Sequence, residues 1–212
     1  MTADNDRSGD LDHGADGRKL IAILLFDGVE ELDAVGPWEV LAAWASLTPE
    51  CGYQVVCVSM DGQPVMGAKG LQLGAHMSVA EAEPIEVLIY PGGQGTRSLV
   101  TDEAHLAWLR GLGDRTPLLT SVCTGALVYG AAGLLHGRPA TTHWASLTTL
   151  SELDPTIDLR SHDRWVDDGD VITSAGVSAG IDMALHLVAR LADDQTAAEV
   201  RRWIQYEPDP PV

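Results

Sequence analysis

The stretch from Thr120 to Gly130, TSVCTGALVYG, passes from an apolar strand pattern into an Ala- and Gly-rich helical one, with Cys123 at the change. A thiol at a helix start faces unpaired backbone N–H groups and the positive end of the helix dipole, which favour its thiolate. The position therefore predicts a pKa below the ordinary value of roughly 8.5 and a nucleophilic sulfur. Gly125 permits the sharp turn and close approach that a strand-to-helix elbow needs, and Thr124 sets a hydroxyl beside the sulfur. A nucleophile also needs a group to handle its proton. Glu30, Glu31 and Asp33, in EELD, follow the first apolar run. Acidic residues at a helix start are also what a solvated first turn would carry. Asp33, however, is followed by AVGP and an apolar helix, so it is the one expected to point inward while Glu30 faces water.

Two other turns follow buried-strand patterns and precede helical ones: YPGGQG and SAGVSAG. The second matches the GxSxG nucleophile elbow, but an acid and then a histidine should follow that serine. The one histidine after Ser178 is His186, inside the next helical segment, so the required order fails. Ser178 reads instead as the N-cap of that helix. Gly93 and Gly95 have GxG spacing without the rest of a dinucleotide fingerprint. Adjacent glycines at a strand end do offer backbone N–H groups for developing negative charge. Gly93, Gly176 and His143 are thus the candidate substrate- or oxyanion-binding positions. His13 and His105 read as exposed, and no His and carboxylate spacing suits zinc, so neither a metal nor a cofactor is expected.

The 212 residues are 45% hydrophobic and carry 31 acidic against 13 basic side chains, a formal charge of -18. Such a balance repels nucleic acid and anionic membrane surfaces. No apolar run has the length of a membrane span and the N-terminus lacks a signal-like apolar centre, so a cytoplasmic protein is expected. Cys51, Cys57 and Cys123 form no CxxC pair, which argues against a disulfide framework. Cys57, inside YQVVCVSM, reads as a core residue and Cys51 as a loop residue.

The elements that must position these residues alternate. Residues 1–18 are acidic, poor in apolar side chains and expected to be a disordered tail, leaving residues 19–212 as one domain. KLIAILLF reads as a central parallel strand, and the helical pattern after it must start or kink at Pro37. Strands follow at 53–60, at IEVLIY and at PLLTSV, with a hairpin at a sheet edge over 64–77 and a capping box from Ser78 to Glu81. RWVDDGDVITSA reads as a second hairpin, and helices are expected over 178–192 and 194–206. The alternation predicts an α/β fold, a mainly parallel sheet with helices on both faces and function at the carboxyl ends of its strands.

LLFDGVEELDAVGPWEVL, YPGGQG, TSVCTGALVYGAAGLLHGRPATTHWA and SAGVSAGID together resemble the isonitrile (isocyanide) hydratases, in the PfpI-like branch of the class I glutamine amidotransferase-like superfamily. The resemblance runs from Leu20 to the QYEPDPP tail. It implies a flavodoxin-like three-layer sandwich, a homodimer, and cofactor-independent hydration of an isocyanide to an N-substituted formamide through a Cys thioimidate. Cys123 falls on the family's nucleophile and Asp33 on its acidic residue. Thr124 matches the neighbouring hydroxyl residue, and the Gly93 amide matches part of the electrophile-binding turn. PfpI-type proteases carry His after the cysteine and Glu at the acidic position, where this chain has Thr124 and Asp33. The rival readings are a Cys-based ligand or redox sensor related to AraC-type regulators and a glyoxalase- or deglycase-like enzyme. The acidity of the chain speaks against direct DNA control.

Overall fold

In the computed structural model, residues 17–208 are described, so the tail expected over 1–18 lies almost wholly outside the described residues. The first apolar run forms β1 (Lys19–Leu24), and the helical pattern after it forms α1 (Glu31–Leu47). Pro37 lies inside α1 rather than at its start. Its missing N–H leaves the Asp33 carbonyl without the usual donor four residues on. Next come β2 (Tyr53–Ser59), β3 (Val65–Met66), β4 (Gln72–Leu73) and β5 (Met77–Ser78). The capping box opens α2 (Val79–Ala82): Ser78 Oγ accepts from the Glu81 amide, and Glu81 returns a carboxylate to the Ser78 amide.

Then follow β6 (Ile85–Tyr90), α3 (Thr96–Leu99), α4 (Glu103–Gly113), β7 (Leu118–Val122) and α5 (Gly125–Ala132). The remainder is β8 (Pro139–Ala140), α6 (Leu147–Leu153), β9 (Asp158–Leu159), β10 (Trp165–Asp167), β11 (Val171–Ser174), α7 (Ala179–Leu191) and α8 (Asp194–Trp203).

Seven strands form one sheet in the order β10-β11-β7-β6-β1-β2-β5, parallel throughout except for β10. Side chains alternate across a strand, so β1 feeds two cores. Ile21 and Ile23 join Val40, Trp44, Met183, Leu187 and Val200 of α1, α7 and α8. Ala22 and Leu24 join Leu109, Tyr129 and Leu150 of α4, α5 and α6. The result is the expected three-layer sandwich.

Three local expectations change. The hairpin over 64–77 is not the sheet edge: β3 and β4 pair only with each other, and β5 takes the edge beside β2. The hairpin is instead tied to the loop after β1, because the Gly28 amide donates to Met66 O at 2.7 Å and the Ala68 amide to Val29 O at 2.8 Å. His105 is buried rather than exposed, its Nε2 lying 2.7 Å from Tyr90 Oη. That partner satisfies the ring inside the core, where burial lowers its pKa. Ser178 occupies the N-cap position of α7 but makes no side-chain cap.

Candidate active site

The carboxyl ends of the central parallel strands supply the site. β7 ends at Val122, and Cys123 turns the chain into α5 with φ +56°, a left-handed conformation rare for a side-chain-bearing residue. The turn is fixed from both sides. The Cys123 amide donates to Ser174 O and Ala175 O, each at 3.1 Å, and Thr142 Oγ1 donates to Cys123 O at 2.7 Å. Gly125 is needed as expected, since a Cβ there would lie 2.3 Å from Tyr90 O. A second strained residue faces this elbow: Val177, before α7, has φ +45°. Its amide and that of Thr124 are the backbone donors directed at the Cys123 sulfur.

Asp33, in the first turn of α1, is wholly buried. Its Oδ2 accepts from the Gly92 amide at 2.9 Å. Its Oδ1 has no partner in full hydrogen-bond geometry, and the side chain that interacts with this carboxyl is the Cys123 thiol. Burial is the main reason its pKa rises from 3.8 to about 7; the Gly92 amide opposes the rise and the Glu30 charge adds to it.

The thiol departs from the sequence-based expectation. Burial, then the neighbouring Asp33 charge, push Cys123 up to about 12. The amides of Val177 and Thr124 pull in the direction expected of the helix start but are outweighed. In a residue only 6% exposed, the sulfur has lost most of the water that would solvate its anion, and it faces a carboxyl rather than a cation. The thiolate is therefore scarce at neutral pH.

Thr124 also sits differently. Its hydroxyl accepts from the Gly93 amide at 2.9 Å and lies 3.2 Å from Thr96 Oγ1. It thus braces the glycine turn after β6 rather than touching the sulfur or the carboxyl, and it engages the Gly93 amide that the sequence offered as an electrophile-binding donor. Gly176 contributes space: a Cβ there would lie 2.3 Å from His143 Cδ2. His143 Nδ1 accepts from the Ala145 amide at 3.3 Å, and its ring lines the cavity.

That cavity, about 240 Å3, is lined by Cys123, Thr124, Gly93, His143 and Val177, with Glu30, Gln94 and Arg97 among the remaining wall residues. The Glu30 carboxylate is ion-paired with Lys69, which the β3–β4 turn carries to this rim. Among the described residues no group of His, Cys, Asp and Glu is arranged to hold a metal. No helix among them is long and apolar enough to cross a membrane. Sequence reasoning missed Thr96, Gln94 and Arg97 as site components, and the direction of the Val177 amide toward the sulfur. Only Val177 had a signal, as the central residue of a turn between a strand and a helix.

The sequence matches the DJ-1/PfpI family over residues 19–190. The chain belongs to that family. Within it, the chain is similar to the "Isonitrile hydratase" of Pseudomonas putida, with 41% identity over 90% of this chain and 80% of that protein. It also resembles the HTH-type transcriptional regulator GbdR of Pseudomonas aeruginosa, with 29% identity over 88% of this chain but only 50% of the regulator. A solved THiJ/PfpI family protein from Pseudomonas syringae superposes with a TM-score of 0.82 and 32% identity, covering 100% of this chain and 84% of that one. Drosophila melanogaster DJ-1beta shares the DJ-1/PfpI fold at a TM-score of 0.77 and 21% identity, covering 90% and 99% of the two chains.

Proposed function

We propose that the protein hydrates isocyanides to N-substituted formamides without a cofactor, with Cys123 as nucleophile and Asp33 as its proton relay. The observation that carries this reading is the buried contact between a thiol and a carboxyl whose pKa of about 7 lets it both accept and return a proton near neutrality. The 41% identity to an isonitrile hydratase supports the reaction class.

Because the thiolate is scarce, the thiol proton leaves as the S–C bond forms. Sulfur attacks the terminal carbon of R–NC, and Asp33 takes the thiol proton and delivers it to that carbon, giving the thioimidate R–N=CH–S. Water then adds to the same carbon. Asp33 removes one of its protons and passes it to the nitrogen, leaving R–NH–CH(OH)–S and an ionised Asp33. Collapse forms the carbonyl, breaks the C–S bond and returns the hydroxyl proton through Asp33 to sulfur, releasing R–NH–CHO. Thr124 acts through the Gly93 turn that borders the cavity, and the Val177 amide steadies charge developing on sulfur. His143 lines the cavity, and Gly176 leaves room for its ring.

A redox sensor draws less support, since oxidation favours exposed, low-pKa thiolates and Cys123 is neither. The test is incubation of the purified protein with a small alkyl isocyanide while following formamide. Cys123→Ala retaining most of the turnover would overturn the reading, as would Asp33→Asn working at full rate.

A further inference from the structure

The rim of the Cys123 cavity carries a cation that the protein's own charges leave alone. In a chain of formal charge -18, acids are plentiful. Basic side chains across the surface take them up, as in Lys19 with Glu86, Arg115 with Glu83 and Arg164 with Asp182. Among the described residues, Arg97, Arg201 and Arg202 are the exceptions that make no ion pair, and of these only Arg97 lines the cavity with Cys123. Its guanidinium donates to Gln94 Oε1. A guanidinium has five N–H donors, so most of the fork stays available to an anion.

Two further observations make this a built position. Arg97 lies in α3, and the preceding residue, Thr96, is buried with its Oγ1 donating to Gly93 O at 2.8 Å and contacting Thr124 Oγ1. The backbone that carries Arg97 is thereby pinned to the nucleophile elbow. The acidic residue on the same rim, Glu30, is neutralised by Lys69, so it does not cancel the guanidinium. Gln94, Arg97, His143 and Ser146 make much of the wall polar, which suits a charged substituent better than a hydrocarbon one.

Resting on the hydratase reading, we propose that the substrate's R group ends in a carboxylate-type anion and that Arg97, seconded by Gln94, is the residue that selects it. The isocyanide carbon would reach the sulfur at the base of the cavity while the anion meets the guanidinium at the mouth.

The test compares ω-isocyano carboxylates, from isocyanoacetate to its butanoate homologue, with their methyl esters, which keep the reacting carbon and lose the charge. A charge-assisted pair of this kind predicts kcat/KM larger for the best acid than for its ester on the order of tenfold to a hundredfold. Most of the difference should lie in KM. Arg97→Met should bring the acid-to-ester ratio close to one and Arg97→Lys should restore part of it. Arg201→Met, which removes an unpaired cation away from the cavity, should leave the ratio as it is. Equal turnover of acids and esters, or a ratio unmoved by Arg97→Met, would overturn this inference alone. Hydration of neither class would overturn the hydratase reading together with it.

Discussion

Asp33→Asn separates the carboxyl's chemistry from its effect on the fold. The folded-state pKa is raised, so between pH 4 and pH 7 the native protein binds a proton that the unfolded chain has released. Stability from this group is therefore intact below pH 4, falls through that window and is fully lost above it. The displacement from 3.8 to about 7 corresponds to about 4 kcal/mol of native-state destabilisation at pH 8.5. Asparagine keeps the acceptor for the Gly92 amide and cannot ionise. Urea unfolding of both proteins at pH 4 and pH 8.5 gives the quantity directly, because any fixed packing change from the substitution cancels between the two pH values. The variant should gain up to about 4 kcal/mol relative to wild type between them, or on the order of 8–16 °C in Tm for a chain of this size. Its isocyanide hydration should fall by a factor of about 100 or more, the scale of a lost acid-base group. A stability difference that does not change with pH would refute the claim that this carboxyl is held near neutrality by burial.

The wild-type kcat/KM should rise with pH through about 7, the pKa of Asp33, and then stay level across the alkaline range below the thiol's own ionisation near 12; Asp33→Asn should remove the rise. Intact-mass spectrometry of the wild-type protein quenched during turnover of an alkyl isocyanide should reveal a covalent adduct equal to the substrate mass, absent in Cys123→Ala and diminished in Asp33→Asn, whose thiol has no base. Thr124→Val keeps the branched shape but leaves the Gly93 amide unpaired, and urea unfolding should show a loss of about 1–3 kcal/mol together with slower turnover. Trp44→Ala, in the core between the sheet and its α1 side, should lose about 3–5 kcal/mol by the same measurement while the pH at which kcat/KM rises stays put.

The parallel strands were legible because both of their faces are buried, which leaves continuous apolar runs such as KLIAIL and IEVLIY. The elbow at Cys123 and the capping box at Ser78 were legible because they are local in sequence. What the sequence hid depends on residues far apart along the chain. The direction of the Cys123 pKa shift was misread because the helix start is visible at residues 123–125, whereas the carboxyl that opposes it sits 90 positions earlier and the burial comes from the whole fold. His105 looked exposed because nothing near it announces the Tyr90 hydroxyl that makes its burial tolerable. The hairpin over 64–77 was assigned to the sheet edge because alternation reveals strands but not their neighbours. Its Lys69 instead reaches the acidic residues that open α1.

The pinned left-handed turn at Cys123 draws on chain from several directions: Ser174 and Ala175 hold its nitrogen, Thr142 its oxygen, and Gly125 slots beneath Tyr90. A partly melted molecule missing any one of these segments would let the backbone relax into an ordinary conformation and swing the sulfur away. Catalysis in this protein should thus vanish in step with global cooperativity, making turnover itself a faithful gauge of the fraction of molecules that are whole.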